Sequence, residues 1–135
     1  MSAVDVIRAL LMSHAPVRAL VEAKNIVLGT VPQRAELPAI GIREISRVEL
    51  STVSLSQAAV LVRARVQVTV LAKSYDSQKA VLQAAKLGPG AHTGEVAGIA
   101  VRSVMREQVG PDISNDDADI FQQSRDFLVT YVEQN

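Results

Sequence analysis

From Val60 to Val70 apolar and polar side chains alternate, with Val60, Val62, Ala64, Val66, Val68 and Val70 on one parity and Arg63, Arg65, Gln67 and Thr69 on the other. A period of two means that successive side chains leave opposite sides of an extended chain, so the run predicts a central sheet strand with one face on a core. Ile120 to Val132 repeats the pattern, Phe121, Phe127, Val129 and Tyr131 sharing one parity that Gln123 and Arg125 interrupt. Ala39 to Leu50 also has strand character, with Ile40 and Ile42 on one face; Ile45 and Val48 fall out of phase, which predicts a bulge or a twist. The polar segment Ser51 to Gln57 joins two strands of similar length, so an antiparallel hairpin with a long tip is expected.

Helical spacing appears in three places. Ser2 and Asp5 form a capping box ahead of Val4, Ile7 and Leu11, which predicts a helix over about 3–12. Ser13-His14-Ala15-Pro16 interrupts it, and Pro16 suits the first turn of a second short helix carrying Val17, Leu20 and Val21. Later, Ser74 caps a helix with Asp76 in its first turn and Val81, Leu82 and Ala85 at core spacing, stopped by Gly88-Pro89-Gly90. Elsewhere, Asn25 to Thr30 reads as a minor strand or extended entry, Gln33 to Leu37 as a loop between Pro32 and Pro38, Ala91 to Glu95 as loop, Val96 to Val104 as a strand with Ala97, Ile99 and Val101 in phase, and Gly110 to Asp119 as an acidic loop. The sum is an α+β fold: one mixed or mainly antiparallel sheet of about four or five strands with helices packed on one face.

Composition narrows the picture. The 135 residues suit a single domain, residues 1–135. Aromatics are 3% against 48% hydrophobic residues, so the core is built from Val, Leu, Ile and Ala. Basic and acidic residues number 14 each, which denies the chain the basic field expected of a nucleic-acid binder. Eight basic and five acidic groups fall in residues 1–70, and six and nine in 71–135, a gradient that suits head-to-tail contact between copies. Without cysteine there are no disulfides, which fits a reducing cytoplasm. The N-terminus lacks the features of a secretory signal and no stretch is long and apolar enough for a spanning helix, so the chain is expected to be used without export and without a membrane.

Each candidate for chemistry has a plainer explanation. Asp112, Asp116, Asp117 and Asp119 crowd oxygen ligands as a hard-cation site would, but without the calcium-loop spacing, and a solvated or interface loop explains them better. His14 and His92 stand apart without a neighbouring ligand. Gly88, Gly90, Gly94 and Gly98 follow a helix rather than precede one and lack the lysine of a phosphate loop. Ser51, Ser54 and Ser56 have no adjacent base. Arg63 and Arg65 share a strand face with Gln67; with no flanking aromatic for base stacking, ion pairing or an intersubunit contact is favoured over nucleic acid. No catalytic residue, cofactor or metal is assigned, and the expected function is assembly.

In order, the chain shows a helix ending in Val17-Arg18-Ala19-Leu20-Val21, an Ile-x-x-Gly segment at Ile26 to Gly29, and Pro32 followed by Leu37-Pro38-Ala39-Ile40. The strand Ala64 to Val70 follows, leading through Ala72-Lys73-Ser74-Tyr75-Asp76 into a helix, and the chain closes with Ser124-Arg125-Asp126-Phe127-Leu128-Val129-Thr130-Tyr131. This series resembles the phage tail-completion or tail-terminator-like family of minor tail proteins, although Leu71 stands where that family commonly has an aromatic. The resemblance implies a structural virion protein, assembled in the host cytoplasm, forming a hexameric ring that caps the head-proximal end of the tail tube, stops its growth and joins it to the head-tail connector. Its partners are then further copies of itself, the tail tube protein, the connector, and DNA passing through without sequence-specific binding. Under that reading Arg63, Arg65 and Gln67, or an exposed sheet edge, serve one contact. The Ser51 to Gln57 tip or the segment with Asp112, Asp116, Asp117 and Asp119 serves the axial one, and the aspartates also repel passing DNA. The alternatives are a head-completion or connector protein of the same particle, a small α+β ligand- or RNA-binding domain, and a small enzyme built on Asp117, His92 or His14.

Overall fold

The computed structural model describes residues 2–32, 35–50, 59–87, 93–115 and 119–134. The N-terminal helix α1, Ala3–Ser13, starts as the capping box requires: the Ser2 amide donates to Asp5 Oδ2 at 2.8 Å. Its Ala3, Val6, Ile7 and Leu11 are fully buried. His14 ends it, and Pro16 opens the one-turn helix α2, Ala15–Arg18. A 3₁₀ turn, Ala23–Asn25, leads into the short strand β1, Ile26–Leu28.

Three long strands follow the expected pattern. β2, Ala39–Leu50, runs parallel to β1 over Ile40 to Ile42 and antiparallel to β3, Ala59–Ala72, with the bulge at Ile45 where register shifts between Glu44 and Ser46. β3 buries Val62, Ala64, Val66, Val68, Val70 and Ala72, each worth roughly 1–3 kcal/mol of transfer free energy according to size. The helix α3, Tyr75–Ala84, is capped by Ser74, whose Oγ accepts from the Ser77 amide at 3.1 Å. The last strand β7, Ile120–Gln134, pairs with β3 along its length.

Among the described residues the sheet has seven strands rather than four or five, three of them the short β4 (Gly94–Val96), the long β5 (Ile99–Val109) and the short β6 (Ile113–Asn115); the order is β1-β2-β3-β7-β5-β4 with β6 beside β7, and the sheet curls into a half-barrel. The excess comes from two segments. Val96 to Val104 is not one strand with Ala97 in phase: β4, Gly94–Val96, turns at Ala97 (φ 53°) and Gly98 (φ 78°) into β5, Ile99–Val109. Two successive positive φ values make the tight turn whose twist suits a hairpin. The segment expected as an acidic loop contains β6, Ile113–Asn115, paired with Ile120 to Gln122 of β7. The expected Ser51 to Gln57 tip and the Gly88-Pro89-Gly90 stop lie outside the described residues.

Helices α1 and α3 cover one face of the sheet, where a single hydrophobic cluster joins Ile7 and Leu11, Val81 and Leu82, the inward β3 valines, Phe127 and Tyr131. Gly41 is fixed by close approach: a Cβ there would stand 2.9 Å from the Gly29 carbonyl oxygen. The Gly29 amide donates to Ile42 O at 2.6 Å, tying the loop after β1 to β2.

Candidate functional site

Alternation on β3 sends Arg63, Arg65 and Gln67 to the face that no helix covers among the described residues. There Arg65 sits across from carboxylates on two further strands, 3.4 Å from Asp126 of β7 and 4.0 Å from Glu107 of β5. Arg43 Nε donates to Gln67 Oε1 at 3.2 Å, and the Thr69 and Ser124 hydroxyls meet at 3.1 Å. The open face is therefore a cross-strand polar band whose charges largely answer one another. Arg63 is exposed and has no ion-pair partner among the described residues. A shallow cavity of about 180 Å³ lies beside the band, with Gly41, Arg43, Gln67 and Thr69 among its walls.

Asp112 lies with α3 instead, away from the arginines. Lys79 Nζ reaches its Oδ1 at 2.7 Å and the Tyr75 hydroxyl donates to its Oδ2 at 3.1 Å. The Lys79 ammonium holds the Asp112 carboxyl below the usual carboxylate range, and Asp112 in turn raises Lys79. Lys79 also donates to Gln123 Oε1 at 2.6 Å, while Gln123 Nε2 donates to Gly110 O at 2.8 Å. This explains why a polar residue breaks the apolar parity of β7: Gln123 fastens α3 and the end of β5 to the sheet. Arg125, the other interruption, is buried with its Nε unpartnered, and desolvation together with nearby Arg106 depresses its pKa. Asp119 is exposed in the turn entering β7, with φ 53°. Asp116, Asp117, His92, Ser51, Ser54 and Ser56 lie outside the described residues.

His14 lines a groove with Pro16, Leu20, Gln83, Lys86 and Arg106 in which no carboxylate takes part. On the helix-bearing side Arg47 pairs with Glu133, which also accepts from the Tyr131 hydroxyl at 3.3 Å. Glu133 raises the Arg47 pKa, and burial raises that of Tyr131. These groups border an open cavity of about 570 Å³ and satisfy each other, so neither partner is left as a poised acid or base. Among the described residues no three His, Cys, Asp or Glu side chains gather as a metal-binding group. No described helix is long and apolar enough to cross a membrane.

The sequence points to an exposed sheet edge without identifying its strands, and the structure supplies them. Beyond Ile42, the outer edge of β2 carries no partner strand among the described residues, and neither does the outer edge of β5 beyond Val101. Ile45, Val48, Met105 and Val109 on these strands are exposed large apolar residues. The early out-of-phase signal at Ile45 and Val48 was their trace in the sequence.

No curated protein sequence matches the chain. Among solved structures, a chain of the "Virion of native gene transfer agent (GTA) particle" is similar in fold, with a TM-score of 0.66 and 12% identity over 98% of this chain and 96% of that one. Residues 5–87, from α1 through α3, match the model of the family described as Tail completion protein gp17. Because that match spans more than half of the chain, the chain belongs to the tail completion protein gp17 family and is a structural protein of the phage tail.

Proposed function

We propose that the protein is a tail terminator: copies close into a hexameric ring that seats on the head-proximal end of the tail tube, stops tube growth and offers its other side to the head-tail connector. The family match over residues 5–87 carries this reading. The shared fold with a chain of a gene transfer agent virion agrees with a place in a particle. A closed ring requires two different, complementary surfaces on each copy, and a tube cap requires a third that faces along the axis. The open face with Arg63, Arg65 and Gln67 or a sheet edge supplies a lateral contact, and the segments 51–57 and 110–119 supply axial ones. DNA passes through without sequence-specific readout. Asp112 contributes less to repelling it than its charge suggests, because Lys79 neutralises it, which leaves exposed Asp119 and its neighbours Asp116 and Asp117 for that role.

The test is assembly of tail tube protein with and without this chain, followed by electron microscopy and sedimentation. Tubes of fixed length bearing the protein at one end are expected with it, and tubes of uncontrolled length without it. Tubes of equal length in both samples would defeat the terminator role. Cosedimentation with portal or capsid in place of tube would move the protein to head completion.

A further inference from the structure

We infer that copies of this chain join edge to edge, the free side of β2 over Arg43 to Leu50 in one copy pairing antiparallel with the free side of β5 over Arg102 to Val109 in the next, which continues the sheet from copy to copy. The inference deepens the ring reading and rests on it.

The edges themselves favour this pairing. An unpaired strand side presents a row of amide and carbonyl groups ready for another strand, and proteins that stay monomeric keep such sides short or polar. Here β1 covers only Ile40 to Ile42 of β2, and β4 only Ile99 to Val101 of β5. The parts left uncovered among the described residues expose Ile45 and Val48 on one side and Met105 and Val109 on the other, at 46%, 57%, 54% and 41% of their full areas. Exposure of this order on both free sides, and on opposite borders of the sheet, is what a self-complementary chain needs.

Strand direction agrees with it. β2, β3, β7 and β5 alternate antiparallel, so β2 and β5 run in opposite senses. Copies related by rotation about a ring axis keep their axial sense, and β5 of one copy therefore meets β2 of the next antiparallel. The alternation passes through the interface unbroken.

Charge favours one register. Pairing with β3 places Arg43 and Ser46 on the open face and Glu44 on the helix-bearing side, and pairing with β7 places Met105 on the open face and Arg106 on the helix-bearing side. Setting Ser46 opposite Met105 and carrying the Ile45 bulge through puts Glu44 against Arg106 and Arg43 against Glu107, two oppositely charged pairs on matching faces. Glu44 would also bring a carboxylate to Arg106, which stands near buried Arg125 and has no ion-pair partner among the described residues. The bulge and the charges penalise other registers, so edges that could aggregate accept one partner.

The full chain is sized by native mass spectrometry and analytical ultracentrifugation, alone and with tube ends, for the parent, Glu44→Arg, Arg106→Glu and the double variant. Circular dichroism confirms that each is folded. Each single reversal should weaken association about tenfold or more, and the double variant should recover it. If the parent assembles and both single variants assemble equally well, or the double variant stays a folded monomer, the edge interface is wrong while the ring stands. A parent that assembles under neither condition takes down the ring and this interface together.

Discussion

The two faces of the sheet are built from the same strands and do different work. On the helix-bearing face, alternate residues of β3 and β7 are Val62 to Val70, Phe127, Val129 and Tyr131, all at or near complete burial under α1 and α3. On the other face the intervening residues are exposed Arg63 and half-exposed Arg65, Gln67, Ser124 and Asp126, the last four bonded across strands. Burial of apolar surface scales with area and is insensitive to partner identity, whereas ion pairs at the surface add little to stability but depend sharply on which charge lies opposite. One face therefore holds the fold, and the other is free to carry recognition.

The contrast is sharpest at neighbouring residues of β7. Phe127→Ala removes a fully buried ring and leaves a cavity beneath the helices, so a loss of about 3–5 kcal/mol is expected. Leu128→Ala, one residue on and facing out, should cost less than about 2 kcal/mol because the side chain is only half-buried. Urea unfolding with an unchanged slope measures both, at a concentration where the chain is monomeric so that assembly does not add to the apparent stability. Equal losses would mean that the open face is a second core and the division between the faces is false.

A smaller effect tests the cover itself. Ser74→Ala deletes the acceptor for the Ser77 amide at the start of α3 and should cost about 1 kcal/mol. Hydrogen exchange should show the loss as faster opening of α3 with β5 and β6 little changed, since the cap acts on the helix and not on the sheet.

How much of this was legible follows the same division. Residues whose fate is decided by a core declare it in their spacing: the capping box of Ser2 and Asp5, the Ser74 cap, the β3 valines and the Ile45 bulge all appear in the structure where the pattern puts them. The β4–β5 hairpin was hidden because Ala97 occupies a positive-φ turn position that usually falls to Asn, Asp or Gly, so it read as one more apolar strand residue. The outer part of β5, Arg102 to Val109, shows no alternation because among the described residues it is paired on one side only and largely exposed on both faces. β6 is three residues held by its register with β7 alone. Pairing of Arg65 with a carboxylate was foreseeable in kind, but choosing Asp126 and Glu107 requires strand order, which spacing along one strand does not contain.

That pair gives the finest test of the comparison. Arg65 and Asp126 have side chains 35% and 19% exposed and meet at 3.4 Å, so water screens part of their attraction. A double-mutant cycle with Arg65→Gln and Asp126→Asn in the monomeric chain should return a coupling of about 0.2–1 kcal/mol. Glu107 lowers it further, because Arg65 keeps a second carboxylate when Asp126 is neutralised. Raising the salt concentration should shrink the coupling, while leaving the cost of Phe127→Ala essentially where it was. A coupling well above 1 kcal/mol that salt does not touch would show that the open-face band is desolvated and structural, and the face could then no longer be read as the one left free for a partner.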